Sequence, residues 1–157
     1  MPRMLILILA LSSACVYAED IPSDEAILKE IARRVNEPIE SVRSDYNEGC
    51  SSGVNIPMQR CAYYHSLATD IAMNNSYRKL KTQLANTPSL PKLIKAQKAW
   101  IAFRDATCNY ESSGYSGGDG SGHSVAYSGC VDQVTELRNK KLQEYLACKN
   151  SGCPGEW

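Results

Sequence analysis

The stretch AQKAWIAFRDATC, Ala96 to Cys108, decides how the rest of the chain is to be read. At about 100° per residue it forms one helical face from Leu90, Leu93, Ile94, Trp100, Ile101 and Cys108, and that face carries Gln97 and Arg104 at its centre, one heptad apart. An amide and a guanidinium on a core-facing stripe must each find a partner, because leaving either unpaired in an apolar interior costs several kcal/mol. The two residues therefore belong either to a buried polar network or to a site. Arg104 is expected to meet a carboxylate such as Asp70 or Glu136, and Arg138 stands at the edge of a later stripe.

Outward from this segment the helical pattern repeats. Upstream, Asn86-Thr87-Pro88-Ser89-Leu90-Pro91 ends a long helix read from Met58 to about Leu84. Its apolar residues change face midway: Cys61, Tyr64, Ala68, Ile71 and Ala72 lie on one side, and Met73, Tyr77, Leu80 and Leu84 nearly opposite. Such a helix is either packed between neighbours or kinked; Tyr77 and Trp100 read as packing residues. Before it, Ser23-Asp24-Glu25 resembles a helix start, with Ile27, Leu28, Ile31 and Val35 at helical spacing, and Pro38 opens a second short helix from Ile39 to about Tyr46. Asn47 to Pro57 reads as a linker.

Downstream, the helix is expected to end near Tyr110. Ser112 to Ser124 holds Gly114, Gly117, Gly118, Gly120 and Gly122, a composition expected to form a loop. From Val125 to about Ala147 the helical spacing returns, with Tyr127, Cys130, Val131, Val134, Leu137 and Tyr145 on one side. No stretch alternates as a strand does. The expected class is all-α: a small disulfide-stapled helical bundle with a glycine-rich loop between its last two long helices.

The N-terminus reads as an export signal. Arg3 precedes an apolar run, Met4 to Ala14, too short for a permanent membrane span, and Val16 and Ala18 suit a cleavage site after Ala18. Cys15 raises the alternative of a lipid anchor, but Leu11 stands one position too early for that motif. The expected location is periplasmic or secreted. The expected organisation is 1–18 signal peptide, 19–48 acidic helical hairpin, 49–147 helical domain and 148–157 disulfide-closed tail.

After the signal, six cysteines remain: Cys50, Cys61, Cys108, Cys130, Cys148 and Cys153. Metal ligation would need matched close pairs, which are missing, and His65 and His123 stand isolated, so disulfides are expected and no metal or other cofactor. The sequence alone leaves 15 pairings open. Closure between sequence neighbours, Cys50 with Cys61, Cys108 with Cys130 and Cys148 with Cys153, is the pairing expected here.

Lys plus Arg equals Asp plus Glu at 17 each, yet Glu19 to Glu48 holds nine acids against four bases and Gly49 to Trp157 twelve bases against eight acids. These read as solvated helix faces, and without stacking or base-reading motifs nucleic acid is not an expected partner. Gly122-His123-Ser124-Val125-Ala126 falls short of a serine-hydrolase elbow, which needs a buried strand before it and a final glycine. A small hydrolase using Ser124 and His123 is the least favoured function, and no catalytic residue is assigned.

Gly49-Cys50, Met58-Gln59-Arg60-Cys61-Ala62, Asp70, Met73-Asn74-Asn75-Ser76-Tyr77, the Ala96 to Cys108 run, Gly117-Gly118, Cys130 and Thr135-Glu136-Leu137-Arg138 resemble, in order and spacing, the bacterial lysozyme-inhibitor family of the LprI type. The likeness covers about Gly49 to Leu146, with Pro57-Met58-Gln59 where the family more often has Glu-Met-Asn. It implies a small exported helical domain, tied by disulfides, whose named activity is inhibition of lysozyme. The expected function is binding and inhibition of a cell-wall lytic enzyme by a non-enzymatic protein. The alternative is an immunity-type or adaptor protein for another secreted toxin or envelope partner. Partner contact is expected in the loop from Tyr115 to Ser124, its ends held by Cys108 and Cys130. There Tyr115 offers an anchor, Asp119 a charge suited to a basic enzyme, and Ser121 and His123 adaptable hydrogen bonds.

Overall fold

The computed structural model describes residues 24–115, 120–149 and 152–154. The export segment with Cys15, the residue Ser23, and Asp119 with Gly117 and Gly118 lie outside them. The described residues form α1 (Asp24–Val35), α2 (Ile39–Glu48), α3 (Asn55–Gln83), α4 (Leu90–Ser112) and α5 (Ser121–Ala147), with single 3₁₀ turns at Gly49–Ser51 and Ser113–Tyr115. No strand occurs among the described residues, and no helix is long and apolar enough to cross a membrane.

Local chemistry sets the boundaries. Asn36 takes a left-handed backbone (φ 56°) after α1, and Asn86 does the same (φ 67°) after α3, a conformation that asparagine tolerates better than most residues. Pro38 stands just before α2 as its N-cap, where its carbonyl accepts the Val42 amide at 3.1 Å. Two expectations are corrected. Asn47 to Pro57 is mostly structured: it completes α2, forms a 3₁₀ turn and enters α3 three residues before Met58. Pro57 fits that first helical turn because an N–H there has no intrahelical acceptor.

Gly49 is buried where the end of α2 meets the start of α3. A Cβ on it would lie 2.6 Å from the Pro57 carbonyl oxygen and 3.1 Å from Cys61 Cβ. Only glycine allows that approach, which also brings Cys50 within bonding distance of Cys61.

The second correction concerns the loop. The regular backbone continues to Tyr115 and resumes at Ser121, so Ser112, Gly122, His123 and Ser124 all belong to helices or their ends. Gly120, left-handed at φ 83°, is the N-cap of α5, and the Ser124 amide reaches its carbonyl at 3.2 Å. Glycine at the cap allows the sharp entry, and the packing of the first α5 turn against the end of α4 outweighs the poor helix propensity of Gly122.

The face change of α3 resolves as packing on two sides. Its first half, through Tyr64, Ala68 and Ile71, forms one buried cluster with Leu28 and Ile31 of α1 and Val42 of α2. Its second half forms another, in which Met73 and Leu80, with Leu84 just beyond the helix, pack with Leu142 of α5 and with Leu90, Leu93 and Trp100 of α4. α3 and α5 run parallel, since Asn55 and Met58 meet Ser121 and Val125 at one end and Leu80 meets Tyr145 at the other, with the Ser76 Oγ to Asn139 Oδ1 hydrogen bond (2.7 Å) between; α4 returns antiparallel to both, Gln97 bonding Arg138 and Cys108 bonding Cys130. Ile101 and Leu137, expected to face inward, are 39% and 69% exposed. Leu142, one turn beyond Arg138, supplies the buried contact instead.

Three disulfides staple the bundle: Cys50–Cys61, Cys108–Cys130 and Cys148–Cys153. His65, read as isolated, stacks on Tyr46 at 4.1 Å between ring centroids while its Nε2 lies 3.1 Å from the Tyr46 carbonyl oxygen, joining α2 to α3.

Replacing Gly49 with alanine should lower stability by about 1–3 kcal/mol, since a backbone carbonyl must move; chemical denaturation measures it. Stability should also fall in acid. Arg33 and Arg34 hold the Glu30 carboxyl at about 2, well below its usual 4.5, and Arg43 lowers Glu25 in the same direction. A carboxylate depressed in the folded state stabilises above its unfolded value and loses that contribution as pH falls through its folded one. Melting temperature should therefore drop between pH 4.5 and 2, and Glu30→Gln should flatten the drop.

Candidate functional site

Gln97, 3% exposed, joins three helices: its Nε2 donates to Met73 Sδ at 3.0 Å and its Oε1 accepts from Arg138 Nε at 2.9 Å. Trp100, one turn on, lies between two cations, with the Arg104 and Arg138 guanidinium carbons 5.3 and 5.8 Å from its ring. Arg104 reaches Asp70 Oδ1 at 3.7 Å and, from both Nε and Nη2, Asp105 Oδ1 at 2.9 Å. Asp70 also accepts from Asn74 Nδ2 at 2.9 Å and pairs with Arg34 Nη1 at 3.3 Å. One carboxylate thus ties α1, α3 and α4.

Glu136, named as a possible partner for Arg104, is exposed on the outer side of α5. Met73 as an acceptor and Asp105 as the nearer carboxylate were not anticipated. The i+1 position of Asp105 hid it, since adjacent helical residues seldom face each other, yet a long guanidinium folds back far enough to meet it.

Of the expected contact residues, Tyr115, Ser121 and His123 lie at the end of the bundle where α3 and α5 begin, and Asp119 is outside the described residues. Tyr115 is 59% exposed and stands over Gly122. It lines a cavity of about 260 Å³ with Asn55 and Met58 of α3 and Ser121, Val125 and Ala126 of α5. Val54 and Ile56, on either side of Asn55, are 57% and 62% exposed. The cavity was not legible from the sequence, because Asn55 and Tyr115 are sixty residues apart.

His123 is placed differently from expectation. Its Nε2 lies 3.2 Å from Ser112 Oγ and its ring stacks with Tyr127, so it fastens the start of α5 to the end of α4. This serine–histidine pair is no nucleophile. Ser112 is 1% exposed and donates to the Cys108 carbonyl oxygen at 2.7 Å, out of reach of a substrate. Ser124 lies in the first turn of α5, and no strand precedes it among the described residues. The Cys50 and Cys61 sulfurs and His65 lie within 4.8 Å of one another, but the sulfurs are bonded to each other and offer no thiolate.

The acids of the α1–α2 hairpin are partly neutralised. Glu25 pairs with Lys29 and Arg43, Glu30 with Arg33 and Arg34, and Asp45 with Arg60.

The described residues thus form a stapled, all-helical domain with a buried polar cross-tie and an apolar, cavitated end. The profile of the lysozyme inhibitor LprI family matches residues 48–142, more than half of the chain, and the chain belongs to that family. An uncharacterized protein of Rhizobium meliloti (strain 1021) is 31% identical over 98 residues, which is 55% of this chain and 69% of the relative. No solved structure matches the chain.

Arg104→Ala should destabilise the fold by about 2 kcal/mol or more, because Asp70 and Asp105 lose a cation and Trp100 a stacking partner. Arg104→Lys should restore only part, since an ammonium lacks the planar fork. Equilibrium unfolding of the three chains checks the order.

Proposed function

We propose that the chain is an exported bacterial envelope protein, periplasmic or secreted after cleavage near Ala18, that binds and inhibits a cell-wall lytic enzyme. Membership of the lysozyme inhibitor LprI family carries this reading. The proposed organisation keeps 1–18 as signal, 19–48 as hairpin, 49–147 as inhibitory domain and 148–157 as tail.

The contact surface is proposed at the cavitated end, with Tyr115 as anchor, Asp119 as the charge offered to a basic enzyme and Ser121 as a hydrogen-bonding neighbour. Two features support it. Tyr115, Val54 and Ile56 leave apolar side chains exposed around a concavity, an arrangement common at interface centres. The Cys108–Cys130 bond and the His123–Ser112 contact hold both sides of the segment, which lowers the ordering cost of binding. His123 serves this surface as a positioning residue.

The second reading, an immunity-type or adaptor protein for another secreted toxin, draws on charge. Animal lysozymes are strongly basic, and the near-neutral chain spends hairpin carboxylates on its own arginines.

The test is lysis of bacterial cell walls by c-type, g-type and i-type lysozymes in the presence of the oxidised mature chain. Inhibition of at least one is expected. Tyr115→Ala with Asp119→Ala should weaken it at least about tenfold while unfolding stays within about 1 kcal/mol of the parent, as surface changes usually do. A flat result against all three enzymes selects the second reading. Unchanged inhibition in the double variant, with loss on altering the hairpin, moves the contact to α1 and α2.

A further inference from the structure

At the opposite end of the bundle, where α4 begins and α3 and α5 approach their ends, lies a separate cavity of about 290 Å³. Its walls are largely apolar, from Leu80, Leu84, Leu93 and Tyr145. An apolar cavity of about 150 Å³ holds benzene, so this one has room for a body about twice that size.

Its polar lining is cationic and under-used. Arg138 commits Nε to Gln97, and among the described residues no carboxylate pairs with its guanidinium. Burial, the largest influence on it, pushes its pKa down, the mark of a charge held without full compensation. Lys92 stands on the α4 side. Ser89, at the N-cap of α4, is only 8% exposed, and its hydroxyl makes no hydrogen bond to a described residue. A half-buried guanidinium, an ammonium and an uncommitted hydroxyl at a helix N-terminus form a receptor for one negative charge.

Pro154 completes the wall, next to the Cys148–Cys153 bond, whose cysteines are five positions apart. That closure lies beyond residues 48–142, the part of the chain that matches the family. We propose that the cavity binds a small monoanionic amphiphile, a medium-chain or aromatic carboxylate, with its head on Arg138, Lys92 and Ser89 and its body against Leu80, Leu84, Leu93 and Tyr145. A two-chain lipid exceeds the volume, and the proposed ligand carries a single chain or ring. This site is independent of the proposed inhibitory surface.

The experiment titrates the oxidised mature chain with sodium decanoate, 1-decanol and decyltrimethylammonium, followed by calorimetry and by amide chemical shifts. Decanoate should bind with a dissociation constant below about 1 mM, and the alcohol and the cation at least about tenfold more weakly. Shifts should centre on Leu84, Ser89 and Leu93. Lys92→Gln, on the exposed rim, and Leu84→Trp, which fills the cavity, should each weaken decanoate at least about fivefold. Arg138→Gln should weaken it most, and if that variant does not fold the other two carry the test. Equal affinity for decanoate and decanol, shifts elsewhere, or undiminished binding to Leu84→Trp overturns the proposal. Removal of residues 155–157 is the last arm. Binding that appears only after the removal would make the chain's own tail the occupant and overturn the proposal as well.

Discussion

The amide of Gln97 is the constraint on which the helix arrangement depends. It donates to a thioether on α3 and accepts from a guanidinium on α5, so α4 has only one rotation and one height that satisfy both ends. A purely apolar interface of Leu, Trp and Met would tolerate sliding by a turn, because hydrophobic contact is non-directional. A buried amide does not, since every displaced register leaves its N–H or C=O groups without partners. The Cys108–Cys130 bond fixes the same helix pair at its other end.

Asp70 performs a related task between the hairpin and the bundle. Its two oxygens face Arg34 and Asn74 on one side and Arg104 on the other. None of these contacts is fully buried, and exposed ion pairs contribute little singly. Their value is in position: they lie where the hydrophobic cluster around Tyr64 and Ile71 gives way to the cluster around Met73 and Leu80. Stability comes from the clusters and the staples, while orientation comes from the polar ties.

Helix class, the face change of α3 and the partnership of Arg104 with Asp70 were legible in the sequence, since 3.6-residue spacing and the cost of an unpaired guanidinium are local facts. The loop was less so. Gly122 and His123 lie in α5 because Ser112, Tyr127 and a disulfide hold them there, and tertiary packing of this kind overrides propensity without leaving a periodic trace. The candidate cavity was legible in Tyr115 and Ser121, while Asn55 and Met58 come from the start of α3. Ile101 and Leu137 were misplaced for a related reason. A helix flanked by neighbours on two sides has no single apolar stripe, so angular position alone does not separate inner from outer residues.

Two separate cores threaded on one 29-residue helix have a consequence for how the molecule opens. The hairpin core can be released while α3, α4 and α5 keep their own, so amide hydrogens should divide into two protection tiers with the boundary between Ile71 and Met73. The spine would remain helical through the lesser opening, but it would then show Tyr64, Ala68 and Ile71 to solvent. A chain with that property presents a second, transient apolar surface whose population is set by the strength of the Arg34–Asp70 latch and the Tyr46–His65 stack.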